Sequence, residues 1–94
     1  MISLQNQIVF ITGASSGIGA ACAKIFARGG AQLILAARRI EKLDRLAKEL
    51  VETGLIASAN QIHLLELDVR DRQKVETALN TLPESWKAID ILIN

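Results

Sequence analysis

The sequence has one cysteine, three aromatic residues and almost no net charge, and each shortage excludes a class of protein. Cys22 has no second cysteine to pair with, so a disulfide-stapled domain is excluded and we expect a reduced, cytoplasmic setting. The 11 basic and 10 acidic residues leave a charge of +1, which argues against a nucleic-acid or membrane surface. No apolar run approaches the roughly 20 residues of a membrane span, and the first residues lack the pattern of a signal peptide.

The shortage of aromatic residues makes the apolar content almost entirely aliphatic. Half of the 94 residues are apolar, yet the only aromatic side chains are Phe10, Phe26 and Trp86. Long aliphatic runs are typical of parallel sheets that are buried on both faces. The length fits one domain, spanning 1–94. Cys22 lies among alanines, so we interpret it as a small packing residue rather than a nucleophile.

Residues 8–19, with the sequence IVFITGASSGIG, pass from an apolar strand through a glycine turn into a helix without a charged residue. Such a junction brings unpaired backbone N–H groups to the positive end of a helix dipole, which predicts a phosphate site. The glycines follow a G-x-x-x-G-x-G spacing, and no lysine follows the last one, as it would in the P-loop of an ATP or GTP hydrolase. We expect Gly13 to allow the tight turn, Gly17 to let a phosphate approach the backbone, and Gly19 to let the helix lie close to the strand.

The hydrophobic pattern predicts four strands and three helices in the order β-α-β-α-β-α-β. The strands are expected at 7–12, 33–37, 62–67 and 89–93, and the helices at 17–28, 39–53 and 72–82. These crossovers indicate an α/β fold, namely a Rossmann-type doubly wound parallel sheet with strand order 3-2-1-4. On the first helix, the residues expected to face the sheet are Ile18, Ala21, Cys22, Ile25 and Phe26. On the second helix, they are Ile40, Leu43, Leu46, Ala47 and Leu50.

Polar residues follow the carboxyl end of each predicted strand. They are Thr12 with the glycine turn after the first strand, Arg38 and Arg39 after the second, Asp68 after the third and Asn94 after the fourth. In doubly wound sheets these ends form the crevice that binds the ligand. Their convergence is a stronger indication of a nucleotide site than the glycine motif alone.

At the end of the second strand, NAD-preferring domains carry an Asp or Glu that accepts from the ribose 2′-hydroxyl. Here that position holds Ala37, which is followed by Arg38 and Arg39. A guanidinium instead pairs with a 2′-phosphate through charge-assisted, bidentate hydrogen bonds. The sequence therefore predicts NADP(H) as the cofactor. The alternative is that one of the two arginines is only a surface residue in the first turn of the next helix.

Asp68 ends an otherwise apolar strand, where its carboxylate is placed to accept from the exocyclic amine of adenine. The alternative is an aspartate that only shapes a turn or caps a helix. Asp71 is predicted to cap the third helix. His63 has no matching ligands around it in the sequence, so no metal site is expected.

The stretch Thr12-Gly13-Ala14-Ser15-Ser16-Gly17-Ile18-Gly19 resembles the TGxxxGxG motif of the classical short-chain dehydrogenases/reductases. Leu67-Asp68-Val69 is similar to the adenine-binding strand end of that family, and Ile91-Leu92-Ile93-Asn94 to the strand that leads into its Asn-Asn-Ala-Gly motif. The resemblance implies backbone contacts to the cofactor from Ser16, Ile18 and Val69. It also implies a structural and ribose-side role for Asn94. The cofactor-binding residues expected on all these grounds are Thr12, Gly13, Ser15, Ser16, Gly17, Ile18, Gly19, Arg38, Arg39, Asp68, Val69 and Asn94.

The same resemblance implies an oxidoreductase that interconverts an alcohol and a carbonyl, and that forms a homo-oligomer at full length. Residues 82–86, LPESW, are similar to a subgroup of NADP-dependent enzymes that oxidise serine, allo-threonine and related 3-hydroxy acids. The family's Tyr-x-x-x-Lys motif has no counterpart, because the chain contains no tyrosine. The predicted fourth strand is also an apolar edge, which normally needs a further strand beside it. We therefore expect the N-terminal, cofactor-binding part of a longer enzyme, inactive by itself.

Two other functions stay open on the residues alone. A non-catalytic NADP(H)-binding sensor would keep the crevice and would need no tyrosine. A nucleotide-binding transferase of similar topology is disfavoured by the arginine pair.

Overall fold

A computed structural model describes residues 3–93, apart from the side chain of residue 59, and shows a four-stranded sheet between two helical layers. The strands are β1 (Ile8–Thr12), β2 (Gln32–Ala37), β3 (Ile62–Glu66) and β4 (Ile91–Ile93). The helices are α1 (Gly17–Arg28), α2 (Ile40–Glu52) and α3 (Arg72–Asn80). All strand pairs are parallel, in the order β3-β2-β1-β4. This confirms the predicted Rossmann-type α/β sheet and its order 3-2-1-4.

The two central strands are buried on both faces, because their side chains alternate between two apolar layers. Val9 and Ile11 of β1 pack in the layer that contains α1 and α2. Ile8 and Phe10 pack on the opposite face, in the layer that contains α3. Successive side chains of one apolar strand therefore point to opposite faces of the sheet and contribute to the hydrophobic core on each face.

The predicted buried face of α1 is wrong. Ile18 and Ile25 are 82% and 62% exposed, and the buried residues of the helix are Gly19, Ala23 and Ala27. The reason is distance: a Cβ atom at Gly19 would overlap the carbonyl oxygen of Gly13, so only very small residues fit between helix and strand. The buried stripe is thus the row of small residues, with Cys22 and Phe26 only half-buried at its margin.

The predicted face of α2 is confirmed. Leu43, Leu46 and Leu50 are buried against the sheet, with the charged residues outside. One of those charges, Glu49, forms an ion pair of 2.9 Å with Lys24 of α1. The pair is half exposed and contributes at most about 1 kcal/mol.

The fourth strand and the third helix are each two residues shorter than predicted. The fourth strand begins at Ile91, because the N–H of Ile89 donates to the carbonyl of Lys87 at 2.9 Å and closes a turn. The third helix ends at Asn80, since Pro83 disfavours helical backbone in the residue before it.

In the part of the chain that the structure describes, no helix is both long enough and apolar enough to span a membrane.

Candidate functional site

The carboxyl ends of β1, β2 and β3 lie level with one another at one edge of the sheet. The register pairs Thr12 with Ala36, and Ala37 with Glu66. The glycine turn follows β1, Arg38 and Arg39 follow β2, and Asp68 comes two residues after β3. The topology therefore brings these predicted site residues to the same edge, as the sequence indicated.

The turn after β1 is held by backbone contacts. Gly13 has a φ of +61°, in the left-handed region that favours glycine. Its carbonyl oxygen accepts from both the N–H and the Oγ of Ser16, at 3.0 and 2.8 Å. The N–H of Ala14 donates to the carbonyl of Ala36 at 3.1 Å, which ties the turn to β2. The loop is thus a rigid continuation of the sheet.

Ser16 begins α1 as its N-cap, a role that the sequence reasoning missed. Its Oγ accepts from the N–H of Gly19 at 3.1 Å, and its carbonyl accepts from Ala20 at 2.8 Å. The S-x-x-G spacing did carry a cap signal, because serine is a preferred N-cap residue. The cap uses up one backbone donor and leaves others for a ligand.

The N–H groups of Gly17 and Ile18 make no hydrogen bond within residues 3–93. They belong to the first turn of α1, which also contains no acidic side chain. A Cβ atom at Gly17 would meet nothing within 4 Å, so the surface above these donors is open. Unpaired donors at the positive end of a helix dipole form an anion site.

Gly19 differs from Gly17 in what surrounds it. A Cβ atom there would overlap the Gly13 carbonyl oxygen and come within 2.8 Å of the Ala14 Cα. The predicted close approach of helix and strand at Gly19 is therefore present in the structure. Gly17 therefore faces open space, where a ligand could bind, whereas Gly19 faces backbone and allows the helix to pack against the turn.

Thr12 links the two strands at the middle of the crevice. Its Oγ1 donates to the carbonyl of Ile93 at 3.2 Å, from the end of β1 to the end of β4. Asn94, for which the resemblance implies a structural and ribose-side role, lies outside the described residues. Thr12 thus connects β1 to β4 at the point where the strand order reverses.

Arg38 and Arg39 are both exposed immediately beyond β2, whose last residue is the buried Ala37. Within the described ranges, neither guanidinium forms an ion pair or a hydrogen bond to a side chain. Arg39 also occupies the N-cap position of α2 with extended backbone and no side-chain cap. Both charges are available to an anion at this edge of the sheet.

Asp68 is bound by Arg70, a residue that the sequence reasoning did not single out. The guanidinium donates from Nε to Oδ1 at 3.1 Å and from Nη2 to Oδ2 at 2.9 Å. Hydrogen bonds from the side chain and backbone of Arg70 lower the pKa of Asp68 from 3.8 to about 2, with a smaller contribution from the charge of Arg38. The carboxylate is thus ionised at neutral pH, beside the 43% exposed Val69.

The turn interpretation of Asp68 also has support in the structure. The Asp68 Oδ1 accepts from the N–H of Arg70 at 3.0 Å, and its carbonyl accepts from the N–H of Asp71. The helix cap, however, is Asp71, whose Oδ1 accepts from the N–H of Lys74 at 3.2 Å, as predicted. Asp68 shapes the turn and still presents its carboxylate at the edge of the crevice.

Two cavities flank the end of β1. One of about 280 Å³ lies between the loop residue Ser15 and the α2 residues Lys42 and Arg45. The other, of about 200 Å³, is apolar and is lined by residues that include Val69 and Leu92. The α2 residues Lys42 and Arg45 therefore lie beside the loop that follows β1.

The remaining candidate residues form no reactive cluster. The rings of His63 and Trp86 lie 5.6 Å apart between centroids, tilted at 46°, over the α3 side of the sheet. Among the described residues, no group of three or more His, Cys, Asp or Glu side chains is arranged to hold a metal ion.

A parallel sheet of order 3-2-1-4 with a glycine turn after its first strand defines a Rossmann-type α/β domain. The model of the short chain dehydrogenase family matches residues 7–94. The chain therefore belongs to the short-chain dehydrogenase/reductase family.

Curated relatives and solved structures agree with this assignment. The chain is 42% identical over 90 residues to sulfoacetaldehyde reductase 2 of Chromohalobacter salexigens, covering 96% of this chain and 33% of that protein. It is 39% identical over 88 residues to an NADP-dependent 3-hydroxy acid dehydrogenase of Salmonella typhi, covering 94% of this chain and 32% of that protein. The structure of L-sorbose reductase from Gluconobacter frateurii, complexed with NADPH and L-sorbose, matches with a TM-score of 0.83 and 32% identity, over 98% of this chain and 34% of that one. The chain thus spans about a third of the length of these relatives.

Proposed function

We propose that the chain is the cofactor-binding part of an NADP(H)-dependent oxidoreductase that interconverts an alcohol and a carbonyl. The bound nicotinamide supplies the hydride in such reactions, and the protein supplies binding and orientation. Membership of the family and the names of two relatives, one NADP-dependent and one solved with NADPH, support this proposal.

The diphosphate would bind at the start of α1. The free N–H groups of Gly17 and Ile18 are suitable donors to phosphate oxygens, and the missing side chain at Gly17 leaves room for them. The rigid turn at Gly13 fixes these donors before the ligand arrives, so little ordering entropy is lost on binding.

The observation that carries the choice of NADP(H) is the exposed, unpaired pair Arg38 and Arg39 beyond β2. A carboxylate there would repel a 2′-phosphate, whereas Ala37 is neutral and the two guanidiniums attract it. Lys42 and Arg45 line the cavity beside Ser15, together with the acidic Glu49. Asp68 would hold the adenine through its carboxylate, and Val69 would add the backbone contact that the family resemblance implies.

The cofactor proposal is tested by titrating the protein with NADPH and NADH. Wild type is expected to bind NADPH more tightly, and Arg38→Asp combined with Arg39→Ile should shift the preference toward NADH by about 10- to 100-fold, since charge-assisted hydrogen bonds are lost. Arg28→Gln, which removes a charge at the far end of α1, is the control and should leave the ratio unchanged. An NADPH/NADH ratio that the double variant does not alter would show that the ribose assignment is wrong.

The substrate is proposed to be a small hydroxy acid or the corresponding carbonyl compound. Two relatives are named for a sulfonated aldehyde and for 3-hydroxy acids, and residues 82–86 resemble the second group. Turnover of a panel of hydroxy acids by the product of the complete reading frame tests this. A protein that binds NADPH but oxidises none of a broad panel of alcohols, and whose reading frame encodes no Tyr-x-x-x-Lys motif, would instead be a sensor.

A further inference from the structure

Arg70 holds the Asp68 carboxylate from one side through three hydrogen bonds. Its Nε and its backbone N–H both donate to Oδ1, at 3.1 and 3.0 Å. Its Nη2 donates to Oδ2 at 2.9 Å. No other donor within residues 3–93 reaches either oxygen.

These bonds leave the carboxylate with a single open acceptor position. An ionised carboxylate offers about four lone-pair sites, two on each oxygen. Both sites of Oδ1 are occupied by Arg70, and Oδ2 keeps one. A planar guanidinium also fixes the plane of the carboxylate, because the two parallel bonds allow one orientation.

We propose that Arg70 is a positioning residue, which aims the one remaining lone pair of Asp68 at a single N–H donor of the adenine base. The inference rests on the proposed function, because it requires adenine at Asp68. It goes beyond that function in assigning to Arg70 a role that is exerted through Asp68. The neighbouring Val69, exposed beside this acceptor, adds the apolar surface that a purine needs.

The exposure of Arg70 argues against a purely structural role. Its side chain is 74% exposed, and ion pairs at such a position contribute little to stability. The ordinary function of an exposed arginine is solubility, yet here three donors of one residue converge on one acceptor. The lowered pKa of Asp68 agrees with a carboxylate that is held in its charged form.

The test compares NADPH with its deamino analogue, in which hypoxanthine replaces adenine and an oxygen replaces the amine. Wild type, Arg70→Ala and Arg72→Ala are titrated with both nucleotides by calorimetry. Arg72 is an exposed arginine two residues further on, without an ion pair in the described chain, so it controls for the loss of one charge.

Wild type is expected to bind NADPH at least about 10-fold more tightly than the analogue, the effect of one hydrogen bond to a charged group. Arg70→Ala should lose about 2- to 10-fold of its NADPH affinity, which is the cost of immobilising one side chain, while its affinity for the analogue stays unchanged. The loss is partial because the backbone N–H of residue 70 still donates to Oδ1. Arg72→Ala should keep the wild-type ratio.

Three results would overturn the inference. An Arg70→Ala variant with the wild-type affinity for both nucleotides shows that Asp68 needs no positioning. Equal weakening of both nucleotides in that variant shows a general charge or folding effect. A wild type that binds both nucleotides equally shows that Asp68 does not recognise the amine, even though the proposed cofactor is bound. Failure of the proposed function is a different observation, namely no binding of either nucleotide by wild type.

Discussion

Alanine at Gly19 should destabilise the fold, whereas alanine at Gly17 should leave the fold intact and weaken cofactor binding. The two glycines stand two residues apart on the first turn of α1, in right-handed backbone that alanine also adopts. Their difference lies in the space beside them. The added methyl group at Gly19 would overlap the Gly13 carbonyl oxygen, while that at Gly17 would meet no protein atom within 4 Å.

The expected magnitudes follow from these contacts. Overpacking against backbone costs about 1–3 kcal/mol, and the better helix propensity of alanine returns up to about 1 kcal/mol. Gly19→Ala should therefore lower the free energy of unfolding by about 1–2 kcal/mol, which is about 5–15 °C in Tm for a chain of this length. Gly17→Ala has no clash to offset the propensity term, so its Tm should be unchanged or slightly higher.

The affinity for NADPH should fall in Gly17→Ala, the variant whose stability is expected to be unchanged. If the diphosphate lies against Gly17, the same overpacking is transferred to the ligand, and the Kd for NADPH should rise by about 5- to 150-fold. Thermal unfolding followed by circular dichroism measures stability, and calorimetry with NADPH measures affinity. Wild-type stability in Gly19→Ala would contradict the close approach of helix and strand. Wild-type affinity for NADPH in Gly17→Ala would show that the diphosphate does not bind against the glycine turn.

Two further predictions concern the aspartates around α3. Asp71→Ala removes the N-cap hydrogen bond from Lys74 and should lower the free energy of unfolding in urea by about 1 kcal/mol. The control is Asp44→Ala on the exposed face of α2, which should leave that free energy unchanged. Equal effects of the two substitutions would show that the cap is unimportant. The pKa of Asp68 is lowered to about 2, so its contribution to stability is complete above about pH 4 and is lost as the pH falls toward 2. A carbon-detected NMR titration should show this pKa rising toward 3.8 in Arg70→Ala, and an unchanged value would refute the ion pair in solution.

The periodic parts of the fold were predictable because they depend on local patterns. Unbroken aliphatic runs identified β1 and β2, and the glycine spacing separated the roles of Gly13 and Gly19 before any contact was known. The face of α2 also followed, since Leu43, Leu46 and Leu50 recur at helical spacing on it. In each case the residue type and its spacing along the chain were compatible with only one structural role.

The face of α1 was predicted wrongly for an equally physical reason. Hydrophobicity favoured the stripe with Ile18 and Ile25, but the distance between helix and strand admits only glycine and alanine. That distance is set by the turn at Gly13, which a helical pattern does not contain. The partnership of Arg70 with Asp68 was missed for a similar reason, because two exposed charges at i and i+2 have no fixed geometry until a turn brings them together.

By itself, the sequence determined the order of strands and helices, the glycine turn, and the two arginines that directly follow Ala37, the position where a carboxylate would select NAD. These properties depend on residue type and spacing, and both are complete in the linear chain. Only the tertiary structure decided which side of α1 is buried, which backbone N–H groups stay unpaired, and which side of the Asp68 carboxylate stays open. Those properties depend on distances between segments far apart in the chain, which packing alone establishes.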